Sequence, residues 1–169
     1  PDALSFDEKV RFGNIKARTR MIQIFDEARK YNGMVLSTDN LTEYFLGFWT
    51  LHGDVGNFGP IQNLWKSEVY GIADYLLEEF KKNPADKTRA EAMSACINAD
   101  PTDGLGVTDT DLDQLLGDYD VDPRKGYLEI ELALLKYFEN NIKYENHTVV
   151  RRYLATEFKR RDPINITRE

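Results

Sequence analysis

The sequence predicts an α/β fold that is helix-rich and holds only part of a parallel sheet. Three observations lead there: a long amphipathic pattern opens the chain, a short apolar run without polar alternation follows it, and almost everything beyond reads with a helical period. From about Phe6 to Lys30, Val10, Ala17, Met21, Ile24, Phe25 and Ala28 recur at helical spacing and predict one helix. Asn32-Gly33 ends it with a residue tolerant of positive φ. Residues 34–37 form a short apolar run of the kind buried on both faces of a parallel sheet. Asp39 is the expected N-cap of a second helix in which Leu41, Tyr44, Phe45 and Phe48 share one face. Glu43 points away from that stripe, on the side of Gly47, toward space that something can approach closely.

The Gly-rich stretch "TLHGDVGNFGP" is a loop, and helices are expected at residues 65–82, 88–96, 108–116, 127–141 and 148–161. Asn83-Pro84 and Asp122-Pro123 supply turns between them. A lone strand makes no sheet, so the other strands are expected to be hidden or to lie in sequence not present here.

Residues 1–169 are read as a single domain, since a chain of 169 residues with 41% hydrophobic content is long enough for one core and short for two. The net charge of -7 argues against a sequence-independent grip on nucleic acid, which needs a basic surface. A single cysteine, Cys96, excludes an internal disulfide, and no apolar run approaches the roughly 20 residues that cross a bilayer. The opening residues resemble neither a signal peptide nor a transit sequence, so the expectation is a cytoplasmic protein with no membrane partner. A first residue of Pro rather than Met points to processing, trimming or a fragment.

Five blocks carry a resemblance. They are "GNIKARTRM" (13–21), "LSTDNLTEYFLGF" (36–48), "HGDVGNFGPIQNLWKSEVY" (52–70), "ADPTDGLGVTDTDLD" (99–113) and "RRYLATEFKRR" (151–161). In order and spacing these blocks resemble the ammonia-dependent NAD synthetases over nearly the whole chain. The resemblance implies the C-terminal portion of a Rossmann-like adenine nucleotide alpha-hydrolase fold. It also implies a homodimeric enzyme that amidates deamido-NAD with ammonia. ATP, with magnesium, first adenylates the nicotinate carboxylate and releases pyrophosphate; ammonia then displaces AMP. A carboxylate is a poor acyl donor because oxide would have to leave, whereas AMP leaves as a stabilised anion.

Position by position, the resemblance makes Thr38 an ATP contact, Glu43 the magnesium ligand and Lys66 the phosphate-binding lysine. It makes Asp54 the aspartate beside the ammonia site, able to take a proton from ammonium. Asn14, Arg18 and Lys159 match residues that hold deamido-NAD. The long first helix, with Arg11 and Arg18 flanking its apolar stripe, is the expected dimer contact.

Some features depart from the family. Its phosphate loop, "SGGxDS", is not found in these residues, so the chain is expected to correspond to the C-terminal portion of a synthetase. A family lysine is here Leu51, an acidic residue falls at Asn57 or Phe58, a threonine at Asn98, and the His of a His-Lys pair is Phe158. Two other readings stay open: a non-catalytic nucleotide-binding or dimerisation module, and an ATP-pyrophosphatase with a different acceptor.

Plainer roles exist for each site residue. Glu43 reads equally as a solvated carboxylate, Thr38 and Asp39 as caps, Arg18 as a snorkelling or interface residue and Asp54 as a turn former. Lys159 suits a helix C-terminus without any ligand, whereas Lys66 in a first turn opposes the helix dipole unless an anion is near. Asp118, Asp120, Asp122 and Glu129 have calcium-loop spacing, but Pro123 stands where the sharp turn requires Gly. "TDTDLD" reads instead as an acidic helix start capped by Thr108. His52 and His147 are far apart and lack cysteine partners, which argues against zinc.

Overall fold

The computed structural model describes residues 4–102, 110, 112–117, 122–140 and 142–163. Helix α1 runs Phe6–Lys30, as the periodicity predicts. Ser5 and Glu8 cap each other's N–H groups at its start, and Asn32 takes φ 51° beyond its end. Only Gly13 and Ala17 of α1 are buried, so the expected stripe is reduced to a narrow seam. Ala17 fits there because Gly53 lacks a side chain: a Cβ on Gly53 would lie 3.1 Å from that of Ala17. Ile24 is exposed, as are Phe6, Phe12, Ile15 and Ile22.

The expected strand at 34–37 is one parallel bridge between Leu36 and Phe58. Asn57 N–H donates to Val35 O at 2.8 Å and Ser37 N–H donates to Phe58 O at 2.8 Å. Among the described residues nothing extends this pair into a sheet, and Met34 and Leu36 stay exposed. The helix-rich part of the expectation is therefore met, and one parallel bridge among the described residues is consistent with a chain that holds only part of a sheet, since two short segments pair only briefly without flanking strands.

Helix α2, Leu41–Leu46, starts one residue later than expected. Asn40, not Asp39, is its N-cap: Asn40 Oδ1 accepts from Glu43 N–H at 3.1 Å, and Glu43 Oε2 accepts from Asn40 N–H at 3.0 Å. Gly47 closes α2 with φ 66°, leaving Phe48 outside the helix. Helices α3 (Lys66–Lys81) and α4 (Lys87–Ile97) pack as a hairpin across a short 3-10 turn at Pro84–Asp86. Of the helix expected at 108–116, α5 (Asp113–Leu116) is seen, and Thr108 lies outside the described residues, as do Asp118 and Asp120.

Helix α6, Pro123–Phe138, begins four residues before the expected start because Asp122 caps it and Pro123 suits its first position. It is the central helix. Tyr127, Ile130, Ala133 and Leu134 pack with Leu46, Leu112, Leu115 and Val149 in one core. The helix expected over 148–161 is broken into α7 (Thr148–Ala155) and α8 (Glu157–Arg160). Thr156 marks the break, with its hydroxyl 3.0 Å from Arg152 O and 3.4 Å from Phe45 O. No helix among the described residues is long and apolar enough to cross a membrane.

Candidate functional site

The site is organised by the C-terminal end of α2. Six residues make a weak helix by themselves, and its last carbonyls need donors. Segment α7–α8 supplies them. Arg152 Nε donates to Leu46 O at 2.9 Å, Arg160 Nη1 to Phe45 O at 2.6 Å, and Lys159 Nζ to Gly47 O at 2.6 Å and also to Trp49 O. Three cations at a helix C-terminus also complement the negative end of its dipole. A side chain on Gly47 would meet this segment, since its Cβ would lie 2.7 Å from Thr156 Cβ.

Beside this junction α1, the loop after α2 and α7–α8 enclose a cavity of about 290 Å³. Asn14, Asp54 and Lys159, predicted from three distant stretches, all line it, with Arg20, Arg152 and Trp49. Thr50 ties the first two together: its hydroxyl donates to Asn14 Oδ1 at 3.1 Å and its N–H to Asp54 Oδ2 at 2.9 Å. Asp54 lies 3.7 Å from the Arg20 guanidinium. Burial pushes the Lys159 ammonium down from 10.5 to about 8, the Arg152 charge pushes the same way, and Asp54 partly opposes both. Three basic groups around one carboxylate suit an anionic ligand.

Arg18 is not among the residues lining this cavity. Its Nε and Nη2 both donate to Leu51 O at 3.2 Å, so it fixes the loop. Thr38 lies across Asp54, in a smaller cavity of about 150 Å³ that Arg20 and Asp54 also line. Asp39 shares that cavity and accepts from the Ser37 hydroxyl at 3.1 Å. Burial, chiefly, raises its carboxyl to about 6; Glu43 and Asp54 add to the rise and the Ser37 bond reduces it.

Glu43 and Lys66 meet elsewhere. Glu43 Oε1 accepts from Lys66 Nζ at 2.9 Å at the edge of a cavity of about 340 Å³ that Tyr70, Ile97 and Asp100 also line. Instead of pointing into open space, Glu43 spends one oxygen on the Asn40 cap and the other on Lys66. Among the described residues no group of three or more His, Cys, Asp and Glu is arranged to hold a metal ion. Glu43 is a single hard oxygen donor beside a cavity, which fits a magnesium ion carried mainly by a ligand's phosphates.

The site therefore falls into two parts: Asn14, Asp54 and Lys159 with Thr38 adjacent, and Glu43 with Lys66. Sequence reasoning missed Arg20 and Arg152. Arg20 lies three residues after Ala17 and seven after Gly13, so it shares the one face of α1 that is buried. Arg152 carries no such signal, since its target, Leu46 O, is 106 residues away.

The sequence model of the family described as NAD synthase matches residues 2–163. An NH(3)-dependent NAD(+) synthetase of Thermoplasma acidophilum is 29% identical over 167 residues, covering 96% of this chain and 60% of that protein. One from Campylobacter jejuni subsp. jejuni is 31% identical over 137 residues, covering 79% of this chain and 53% of that protein. The chain spans about half the length of the curated relatives it matches. Among solved structures, the NMN synthetase from Francisella tularensis is similar at a TM-score of 0.61 and 23% identity, over 95% of this chain and 57% of that one. The NH3-dependent NAD synthetase from Campylobacter jejuni, in complex with nitrate, has a TM-score of 0.57 and 23% identity, over 99% of this chain and 58% of that one. At that identity the likeness is one of fold.

Proposed function

Because the chain belongs to the NAD synthase family, we propose that it forms part of an enzyme that amidates deamido-NAD with ammonia, using ATP and releasing AMP and pyrophosphate. In this reading the nicotinate carboxylate attacks the α-phosphorus of ATP. A phosphorus–oxygen bond forms as pyrophosphate leaves. Ammonia then attacks the acyl carbon, and AMP departs with the carboxylate oxygen. Asn14, Lys159 and Arg20 orient the anionic acceptor, Arg18 holds the loop around it, and Asp54 takes a proton from ammonium and so frees the nitrogen lone pair. Thr38 donates to the nucleotide, while Lys66 and Glu43 serve the polyphosphate end. A magnesium ion bound at Glu43 would supply neutralisation of phosphate charge.

The observation that carries this reading is the convergence of Asn14, Asp54 and Lys159 on one cavity from separate parts of the chain. Calorimetry tests it. Deamido-NAD is expected to bind the chain, and Asn14→Ala or Arg20→Ala to weaken binding by about tenfold, the worth of roughly one charge-assisted hydrogen bond. Unchanged affinity in both variants would overturn the placement.

A second reading keeps ATP-dependent amidation and changes the acceptor. It is favoured by Leu51, aliphatic where the resemblance expects a lysine, whose carbonyl occupies Arg18. An enzyme that releases pyrophosphate from ATP with another carboxylate but not with deamido-NAD would decide for it. A chain that binds neither nucleotide would be a non-catalytic module.

A further inference from the structure

We propose that Glu131, on α6, is a positioning residue that sets Lys66 against Glu43. Glu131 is only 4% exposed, and both its oxygens are engaged. Oε1 accepts from the Thr42 hydroxyl at 2.7 Å and from Ser67 N–H at 3.1 Å; Oε2 accepts from the Ser67 hydroxyl. Thr42, wholly buried, accepts in turn from Lys66 N–H at 2.9 Å. One carboxylate thus joins α2 and the first turn of α3 to the central helix.

The arrangement answers a local problem. The N-cap of α3 is Trp65, whose side chain makes no capping bond, so the first-turn N–H groups need other acceptors. Glu68 takes that of Trp65 itself, Thr42 that of Lys66, and Glu131 that of Ser67. The Glu131 charge also faces the positive end of the helix dipole, which Lys66 opposes. With its backbone fixed, Lys66 extends to Glu43 at 2.9 Å and lies over the Tyr127 ring at 5.6 Å. Tyr127 is four residues before Glu131, on the same face of α6, so one helix supplies both the ring and the backbone anchor.

This inference rests on the assignment of Lys66 and Glu43 to the polyphosphate end. The test uses the full chain with 13C-labelled lysine, the Lys66 side-chain signal being assigned by its loss in Lys66→Arg. Glu131→Gln and Thr42→Val are expected to move the Lys66 signal and to weaken magnesium pyrophosphate binding by about tenfold, as losing a supporting contact commonly does. The Lys159 signal should stay in place. A purely structural Glu131 would lower the melting temperature and leave the Lys66 signal at its wild-type position, which would overturn the inference. Should Glu131→Gln fail to fold, Thr42→Val and Ser67→Ala, each removing a hydrogen bond of the network, decide it on the same signal. Lys66→Met binding pyrophosphate like wild type would remove the phosphate role, and the Lys66 signal would still judge Glu131.

Discussion

At the scale of single residues, two shifted titrations make predictions of opposite sign. Asp39 has its carboxyl raised from 3.8 to about 6, mainly by burial. Between those values the folded protein holds a proton that the unfolded chain has lost, so this residue's contribution falls as pH rises through that window. Asp39→Asn should therefore raise the melting temperature at pH 7 and leave it nearly unchanged at pH 4, measured by thermal melts at both. Lys159 is lowered from 10.5 to about 8, so between those values the unfolded chain holds the extra proton and stability rises with pH. An NMR titration should find Lys159 near 8, and Asp54→Asn should lower it further by removing a charge that favours the ammonium. The cap of α2 was expected one residue early, at Asp39; the signal that marks Asn40 is its capping-box spacing to Glu43, which does its share of the capping while also holding Lys66.

At the scale of elements, α2 is the piece on which the others converge. Gly47 combines φ 66° with a place where an added Cβ would lie 2.7 Å from Thr156 Cβ, so Gly47→Ala should cost roughly 2–3 kcal/mol in chemical denaturation, from backbone strain plus displacement of Thr156. Helix α1 was legible to its ends because its period persists over 25 residues and Asn32-Gly33 marks the stop. The break at Thr156 was not. Thr156 also faces Phe45 O, 111 residues away, and local spacing carries no record of such a contact. The strand at 34–37 was legible as an apolar run, but its pairing depends on neighbours that local pattern does not specify.

At the scale of the whole molecule, α1 leaves Phe6, Phe12, Ile15, Ile22 and Ile24 exposed. Apolar surface of this extent on one helix favours self-association, and the expected homodimer would cover it. Sedimentation should find a dimer, and Ile15→Glu with Ile22→Glu should shift it to monomer without lowering helix content; a monomeric wild type would refute the expectation. Asn14, Asp54 and Lys159, which line the candidate cavity, were legible as residues of short blocks, whereas Arg18 was expected beside them and holds the loop instead. The division of the candidate residues into two parts was not, since that depends on how distant elements cross.

The clamp of Arg152, Lys159 and Arg160 on the carbonyls of residues 45–49 has a consequence in time as well as space. A chain emerging from the ribosome displays α1, α2 and the Asp54 loop long before it displays their fastenings. The candidate cavity therefore matures late, after α7–α8 has been released. A nascent chain stalled before residue 152 should leave the 45–54 region open to protease, while the same region in the finished protein should resist it.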